Sequence, residues 1–341
     1  MAAATIHDVA ERAGVSVATV SRVLNGKELV REETSRQVLA AAKSLHYVPN
    51  VAARSLSSRR SQTIGIVLPD VHGEFFSEVI RGIDVAARKE GYHILVSGSH
   101  ADAGEMMEVL ETMHGRVDGL IVMAPDVTLT SLGGPFASGL PLVLLNSADP
   151  EHDAITIDNY GGARTMMQHL ADLGHTRIAF ITGPEQNADA RERLRGFHDG
   201  LHAAGASPAK PLELRGDFTE HAGYDAARQF AASPQRPTAI FAANDAMAIG
   251  ALSALADAGV AVPEEMTVVG FDDVPIARYV APPLTTIRVD IAELGRRAFA
   301  LLHDTLAEPA HPSPRQECIG TTLVVRKSCG PLRARNKGES S

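Results

Sequence analysis

The sequence predicts an all-α helix-turn-helix head joined by a hinge helix to an α/β body of two doubly wound parallel-sheet lobes. Three observations carry this. Two short amphipathic helical patterns flank Gly14-Val15-Ser16 within the first 25 residues. From residue 63 onward, short apolar runs alternate with longer amphipathic ones, the pattern of strands and crossover helices. The 341-residue chain is also too long for one ordinary core and fits two or three domains.

Thr5 stands where its hydroxyl caps a first helix, on which Ile6, Val9, Ala10 and Ala13 share one face. Gly14 suits the positive φ of a sharp turn, and Ser16 is placed to cap the second helix. Val20, Val23 and Leu24 turn that helix inward, while Val17, Ala18, Thr19, Ser21 and Arg22 make its other face small, polar and basic. Small residues at the start of such a helix let it enter the major groove, where base edges are read. The motif therefore points to DNA. A third helix is expected at about 31–46, with Glu32 and Glu33 early and Lys43 late, as the helix dipole favours. Val38, Leu39, Ala42 and Leu45 form its apolar stripe, Tyr47 closes the small core, and Pro49 stops it. Asn50 then caps a two-turn segment before the Ser/Arg-rich stretch 57–62. A helix so short is marginal in water without a partner, so it reads as a hinge that becomes helical only when held.

In the body, strands are expected at 64–68, 93–96, 119–123, 142–145, 178–182, 239–242 and 267–270. Helices are expected at about 74–90, 105–114, 160–173, 190–204, 222–231, 245–258 and 292–307. A seam at 157–162 divides this region into two similar halves. The domains are then the head at 1–49, hinge helix and linker at 50–61, the body at 62–332 and a polar tail at 333–341. Within the body, lobe 1 takes about 62–159 and 290–318, and lobe 2 about 160–289 and 319–332. In such sheets, ligands sit beyond the strand C-terminal ends. Several strands here end in polar or turn residues, among them Asn146, Thr182-Gly183, Asn244 and Asp272-Asp273. The cleft between the lobes is the natural small-molecule site.

Composition narrows the partners. At 45% hydrophobic and 21% charged residues, the chain is an ordinary globular one. No apolar run approaches the ~20 residues of a membrane span. The first residues, MAAATIHDVAERAG, lack the basic and then apolar layout of a secretory signal. Cys318 and Cys329 suggest neither a disulfide framework nor a zinc site, and a reducing cytoplasm is the expected compartment. The net charge of −9 hides a split: residues 1–60 carry nine Lys/Arg and five Asp/Glu, a net of +4, which leaves −13 on the rest. A basic head on an acidic body concentrates phosphate attraction in one place.

The chain resembles the lactose-repressor family of bacterial transcription regulators over nearly its whole length. The head carries this in Asp8-Val9-Ala10, Ala13-Gly14-Val15-Ser16, Thr19-Val20-Ser21-Arg22-Val23-Leu24-Asn25 and Tyr47-Val48-Pro49-Asn50, with Ala53 and Leu56. The body carries it in Gly174-His175, Arg193, Gly196-Phe197, Gly216-Asp217-Phe218, Ala243-Asn244-Asp245, Gly270-Phe271-Asp272-Asp273 and Pro283-Leu284-Thr285-Thr286-Ile287. The resemblance implies a periplasmic-binding-protein-like body and a homodimer that presents two heads to a palindromic operator in double-stranded DNA. It implies a cleft that takes a small effector; with a hydroxyl-friendly residue set there, the expectation is a repressor of carbohydrate-use genes switched allosterically by a sugar or sugar derivative. A regulator answering to a purine or another metabolite, a sugar-binding protein and an enzyme are the alternatives. The polar tail lacks the leucine heptads through which the family's tetramers assemble, so a dimer is expected.

In the resemblance, Arg22 reads bases, its planar fork suiting guanine O6 and N7; a phosphate contact is the other reading. Val17 and Ala18 sense thymine methyls or groove shape, or merely permit close approach. Thr5, Ser16, Thr19, Ser21 and Asn25 position the head through phosphate contacts and caps. Asn50, Ala53 and Leu56 belong to the hinge: Leu56 matches a leucine that wedges into the minor groove, and Ala53 lets two hinge helices approach. Packing of Leu56 on the body is the alternative. Phe76, Arg193, Phe218, Asn244 and Asp272 match effector-binding positions, a set suited to hydroxyls around a ring, and Asn146 joins them as a weaker candidate from its place at a strand end. Asp158 is a weaker candidate that also suits a helix cap. The Asp272-Asp273 pair raises acid–base chemistry, but neighbours in sequence point different ways and no HExxH, P-loop or GxSxG pattern supports it. No catalytic residue, metal site or cofactor is expected.

Overall fold

A computed structural model describes residues 4–24, 30–47, 60–124, 139–147, 149–205, 212–308 and 313–332. The chain forms two compact units, Met1–Ser61 and Gln62–Ser341.

The first unit holds α1 (Ile6–Ala13), α2 (Val17–Leu24) and α3 (Glu32–Ser44). Thr5 and Asp8 form a reciprocal cap on α1: Asp8 N donates to Thr5 Oγ1 at 3.4 Å and Thr5 N to Asp8 Oδ2 at 2.7 Å. Gly14 takes φ 64° in the turn, and Thr19 N donates to Ser16 Oγ at 3.2 Å. Val9, Ala10, Val20, Val38, Ala41 and Ala42 make a small core against which Tyr47 packs. One expectation fails here. Leu39 is 54% exposed and Ala41 takes its place, because positions 38, 41, 42 and 45 share a helical face that residue 39 leaves by about 100°.

The second unit is two six-stranded sheets with corresponding strand orders. In the first, β1 (Thr63–Leu68), β2 (His93–Gly98), β3 (Gly119–Met123), β4 (Leu142–Leu145), β5 (Asp153–Ile157) and β11 (Gln316–Ile319) lie in the order β11-β5-β4-β3-β1-β2. In the second, β6 (Ile178–Thr182), β7 (Leu212–Arg215), β8 (Ala239–Ala242), β9 (Thr267–Asp272), β10 (Thr285–Val289) and β12 (Thr321–Val324) lie in the order β12-β10-β9-β8-β6-β7. Helices α4 (Glu74–Lys89), α5 (Ala103–Met113) and α10 (Ile291–Ala307) pack on the first sheet. The second is covered by α6 (Asn159–Asp172), α7 (Ala188–Ala203), α8 (Glu220–Ala232) and α9 (Asp245–Asp257).

Every strand pair is parallel except β10 with β12. Only Gly320 separates β11 from β12, too little for the crossover a parallel return needs. A strand leaving the first sheet at its C-terminal edge enters the second from the corresponding edge and so runs the other way. The helix pairs that clamp each sheet cross at glycine. A Cβ on Gly82 of α4 would lie 2.1 Å from Ala292 O, and one on Gly250 of α9 would lie 1.8 Å from Glu220 O. Backbone-to-backbone contact of this kind fixes helix starts, and with them the cleft walls.

Candidate functional site

A cavity of about 460 Å³ opens where the strand ends of both sheets face each other. Its size is ordinary for a small-molecule site. Phe76 from the first turn of α4 and Asn146 after β4 line it from one sheet; Arg193 of α7, Phe218 before α8, Asn244 at the start of α9 and Asp272 at the end of β9 line it from the other. All six sequence-predicted effector residues therefore share one cavity. Asp158 lies outside it and caps α6, its Oδ1 accepting from Gly161 N at 2.8 Å.

Arg193 is the hub. Its Nε donates to Asn159 Oδ1 at 2.8 Å and its Nη1 to Ala243 O at 2.6 Å, while Cζ stands 3.9 Å over the Phe271 ring. Its Nη2 pairs with Asp272 Oδ1 at 3.1 Å. One turn earlier on the same helix face, Asp189 accepts from Asn146 Nδ2 and Asn159 Nδ2, both at 2.7 Å. The Asn146–Asp189 bond joins the two sheets across the cavity floor. A second bridge crosses its mouth, where Ile276 N donates to Glu74 Oε2 at 2.9 Å.

Burial pushes Asp189 up to about 6, against the opposing charge of Arg193. Burial does the same to Asp272, which also reaches about 6. Beneath them Asp245 is fully buried in the first turn of α9, accepting from Thr286 Oγ1 at 2.5 Å and Val274 N at 3.0 Å. Burial raises it well above the ordinary carboxylate range. Its oxygen fits only because β9 has glycine below it: a Cβ on Gly270 would lie 2.2 Å from Asp245 Oδ1. Asp273 points away from the cavity into Arg288 Nε and Arg326 Nη2, each at 2.6 Å. The paired carboxylates thus face opposite ways, as neighbours in sequence do.

Several residues around the cavity hold a left-handed backbone: Asn146 at φ 54°, Phe218 at 71°, Asp272 at 112° and Asp273 at 55°. Asn and Asp tolerate φ near 55°, as at Asn146 and Asp273; for Phe218 at 71° and Asp272 at 112° the conformation is strained. Asn244 braces the Phe218 turn by donating from Nδ2 to Phe218 O at 3.0 Å, while its Oδ1 accepts from Met247 N to cap α9. Both ends of its amide already serve the fold. Sequence reasoning passed over Asp189 and Asn159. The available signal was the i, i+4 spacing of Asp189 and Arg193, which puts both on one helix face.

In the head, Ala18 and Arg22 are exposed one turn apart on α2, with Val17, Thr19 and Ser21 half-buried beside them and Ser16 exposed at the helix start. Thr5 is exposed at the start of α1. Asn25, Asn50, Ala53 and Leu56, with most of the hinge and the tail, lie outside the described residues.

A helix-turn-helix head and a two-lobed α/β body with a polar, aromatic-walled cleft define a class: a DNA-binding protein with a small-molecule receptor built in. Residues 5–50 match the family described as "Bacterial regulatory proteins, lacI family", and residues 167–329 match "Periplasmic binding protein-like domain". The chain is 38% identical over 311 residues to the Ribose operon repressor of Escherichia coli strain K12, spanning 90% of this chain and 94% of that protein. It is 36% identical over 333 residues to the HTH-type transcriptional repressor PurR of Photobacterium profundum, spanning 96% and 99%. The crystal structure of the lac repressor dimer bound to operator and the anti-inducer ONPF aligns with a TM-score of 0.87 at 31% identity, covering 96% of this chain and 100% of that one. The chain belongs to the lacI family of bacterial regulatory proteins. It is a DNA-binding transcriptional repressor and not an enzyme. None of the described helices is long and apolar enough to cross a membrane.

Proposed function

We propose that the protein represses carbohydrate-use genes as a homodimer, and that a sugar or sugar derivative bound in the cleft switches its affinity for a palindromic operator. The observation that carries this is the cleft itself: aromatic faces at Phe76 and Phe218 around a hydrogen-bonding set of Asn146, Asp189, Arg193 and Asp272. Aromatic walls suit the C–H face of a sugar ring, and carboxylates and amides suit its hydroxyls. The same walls suit a flat heterocycle, which keeps a purine or another small metabolite as the second reading. The relative's name makes D-ribose the first sugar to try.

In this reading, Arg22 reads base edges with Val17 and Ala18, and Thr5, Ser16, Thr19, Ser21 and Asn25 set the head on the phosphates. Asn50, Ala53 and Leu56 form the hinge contact with the minor groove. Effector binding alters the angle between the lobes and so the spacing of the two hinges. Operator affinity shifts only by the effector's differential affinity for the two body conformations. Asp272→Ala should still bind operator in fluorescence anisotropy but lose the sugar dose–response; an unchanged response removes Asp272 from the site. Arg22→Ala should collapse the preference for operator over random-sequence DNA while salt-sensitive binding persists. A preserved preference in a competition assay assigns Arg22 to phosphate.

A further inference from the structure

The cleft's hydrogen-bonding inventory is lopsided. Most of the side-chain donors around it already serve the protein: Asn146 and Asn159 donate to Asp189, Asn244 donates to Phe218 O, and Arg193 is divided among Asn159, Ala243 and Asp272; Asn187, which caps α7 through Oδ1, also lines the cavity. Not every acceptor is engaged: Asn146 Oδ1 is buried and accepts no hydrogen bond from the described residues, while Asp272 Oδ1 has Arg193 Nη2 beside it at 3.1 Å, and both residues border the cavity. A buried acceptor left unmet is costly, so the complementary ligand is one that donates.

The charge around the cavity points the same way. Asp70, Glu74, Asp189, Asp217, Glu220 and Asp272 line it, against Arg193 as the one arginine or lysine among the described lining residues, with His72 and His100 at the rim. Resting on the reading of this cleft as the effector site, we infer that it takes an uncharged, hydroxyl-rich molecule and rejects phosphate esters of the same molecule. Hydroxyls donate to the carboxylate and amide oxygens of the wall and, unlike phosphate, bring no charge against the acids. A phosphate dianion only accepts, and it meets carboxylates within a few ångströms in a partly dehydrated space. Coulomb repulsion at that range amounts to about 100-fold or more in affinity.

The test is calorimetric titration of the full-length repressor at pH 7.5 with matched pairs: D-ribose and ribose 5-phosphate, D-glucose and glucose 6-phosphate, adenosine and its 5′-monophosphate. The expected result is that at least one uncharged member binds and its ester binds about 100-fold more weakly or not at all. Asp189→Asn should narrow that gap about tenfold and Glu220→Gln, at the rim, a few-fold. An ester as tight as its parent overturns the inference, as does a panel in which no uncharged member binds, or a gap that neither variant narrows. Binding of adenosine but neither sugar, with its monophosphate rejected, instead overturns the sugar reading and leaves this inference standing.

Discussion

Two buried aspartates at opposite ends of the sheets face similar burial and answer it differently. Asp153 starts β5, at the end of the first sheet far from the cleft, and is 8% exposed; Asp272 ends β9 at the cleft and is 4% exposed. Asp153 is saturated with donors: Arg315 N at 2.7 Å, Arg315 Nη2 at 2.6 Å and Thr305 Oγ1 at 3.1 Å. Burial alone would raise its carboxyl, but the bonds and charge of Arg315 outweigh burial and hold it below the ordinary range. At Asp272 burial wins, because the single guanidinium nearby is shared with Asn159, Ala243 and the Phe271 ring. A complete donor shell marks a carboxylate that holds the fold. An incomplete one leaves a carboxylate with acceptor capacity to spare at the cavity wall.

Arg193→Ala attacks the incomplete cluster and should have the largest effect. It strands Asp189 and Asp272 without their shared cation, so the response to effector is lost and unfolding free energy falls by about 3–5 kcal/mol in urea titration. Arg193→Ala with near wild-type stability would mean the cluster is not coupled to folding. Asp153→Ala should separate the two ends: a loss of about 2–3 kcal/mol with the effector midpoint moved less than twofold. A tenfold move in that midpoint would show that the two ends are not independent.

The smallest effect is that of pH. Asp189 and Asp272 sit near 6 in the fold, above the ordinary aspartate value of 3.8. Their protons bind the folded state first, so the ligand-free protein gains stability as pH falls from 7 through 6. Over that interval effector affinity should weaken, by about three- to tenfold down to pH 5.5, as the carboxylates lose acceptor strength. Asp153 has the opposite sign: its contribution is full above 3.8 and is lost only as pH falls through its lower folded value. The groups facing the cleft pair are Arg193, Asn146, Asn159 and Asp245, and Asp245 reinforces the same direction. Asp272→Asn should flatten the profile between pH 7 and 5.5 in a titration series; an unchanged slope assigns the effect elsewhere.

The central buried strands were legible because parallel strands covered on both faces read as apolar runs: 119–123, 142–145, 178–182 and 239–242 coincide with β3, β4, β6 and β8. The strands that sequence reasoning missed carry a different pattern. Leu212–Arg215, Gln316–Ile319 and Thr321–Val324 are four-residue edge strands with polar positions. Asp153–Ile157 and Thr285–Val289 are interior but open on Asp and Thr, whose burial depends on partners far along the chain: Arg315 for Asp153 and Ser328 for Thr285. The site followed the same rule. Asp189 and Asn159, which the sequence reading passed over, matter through tertiary contacts: Asn159 meets Asp189 between neighbouring helices of the second sheet, and Asn146 reaches Asp189 from the first.

The left-handed backbone at Asn146 and Asp272 has a consequence for how the cleft can drift under mutation. At Asn146, φ 54° is a conformation that asparagine, aspartate and glycine occupy at little cost, whereas φ 112° at Asp272 is strained for any side chain and favours glycine; a β-branched side chain at either position costs about 1–3 kcal/mol. Single-step changes that preserve the fold therefore stay among an amide, a carboxylate and a bare backbone. Each exchanges the sign or presence of a hydrogen-bonding group while the wall stays where it is. Ligand preference at these two positions is free to be rewritten atom by atom, and the shape of the cleft is not.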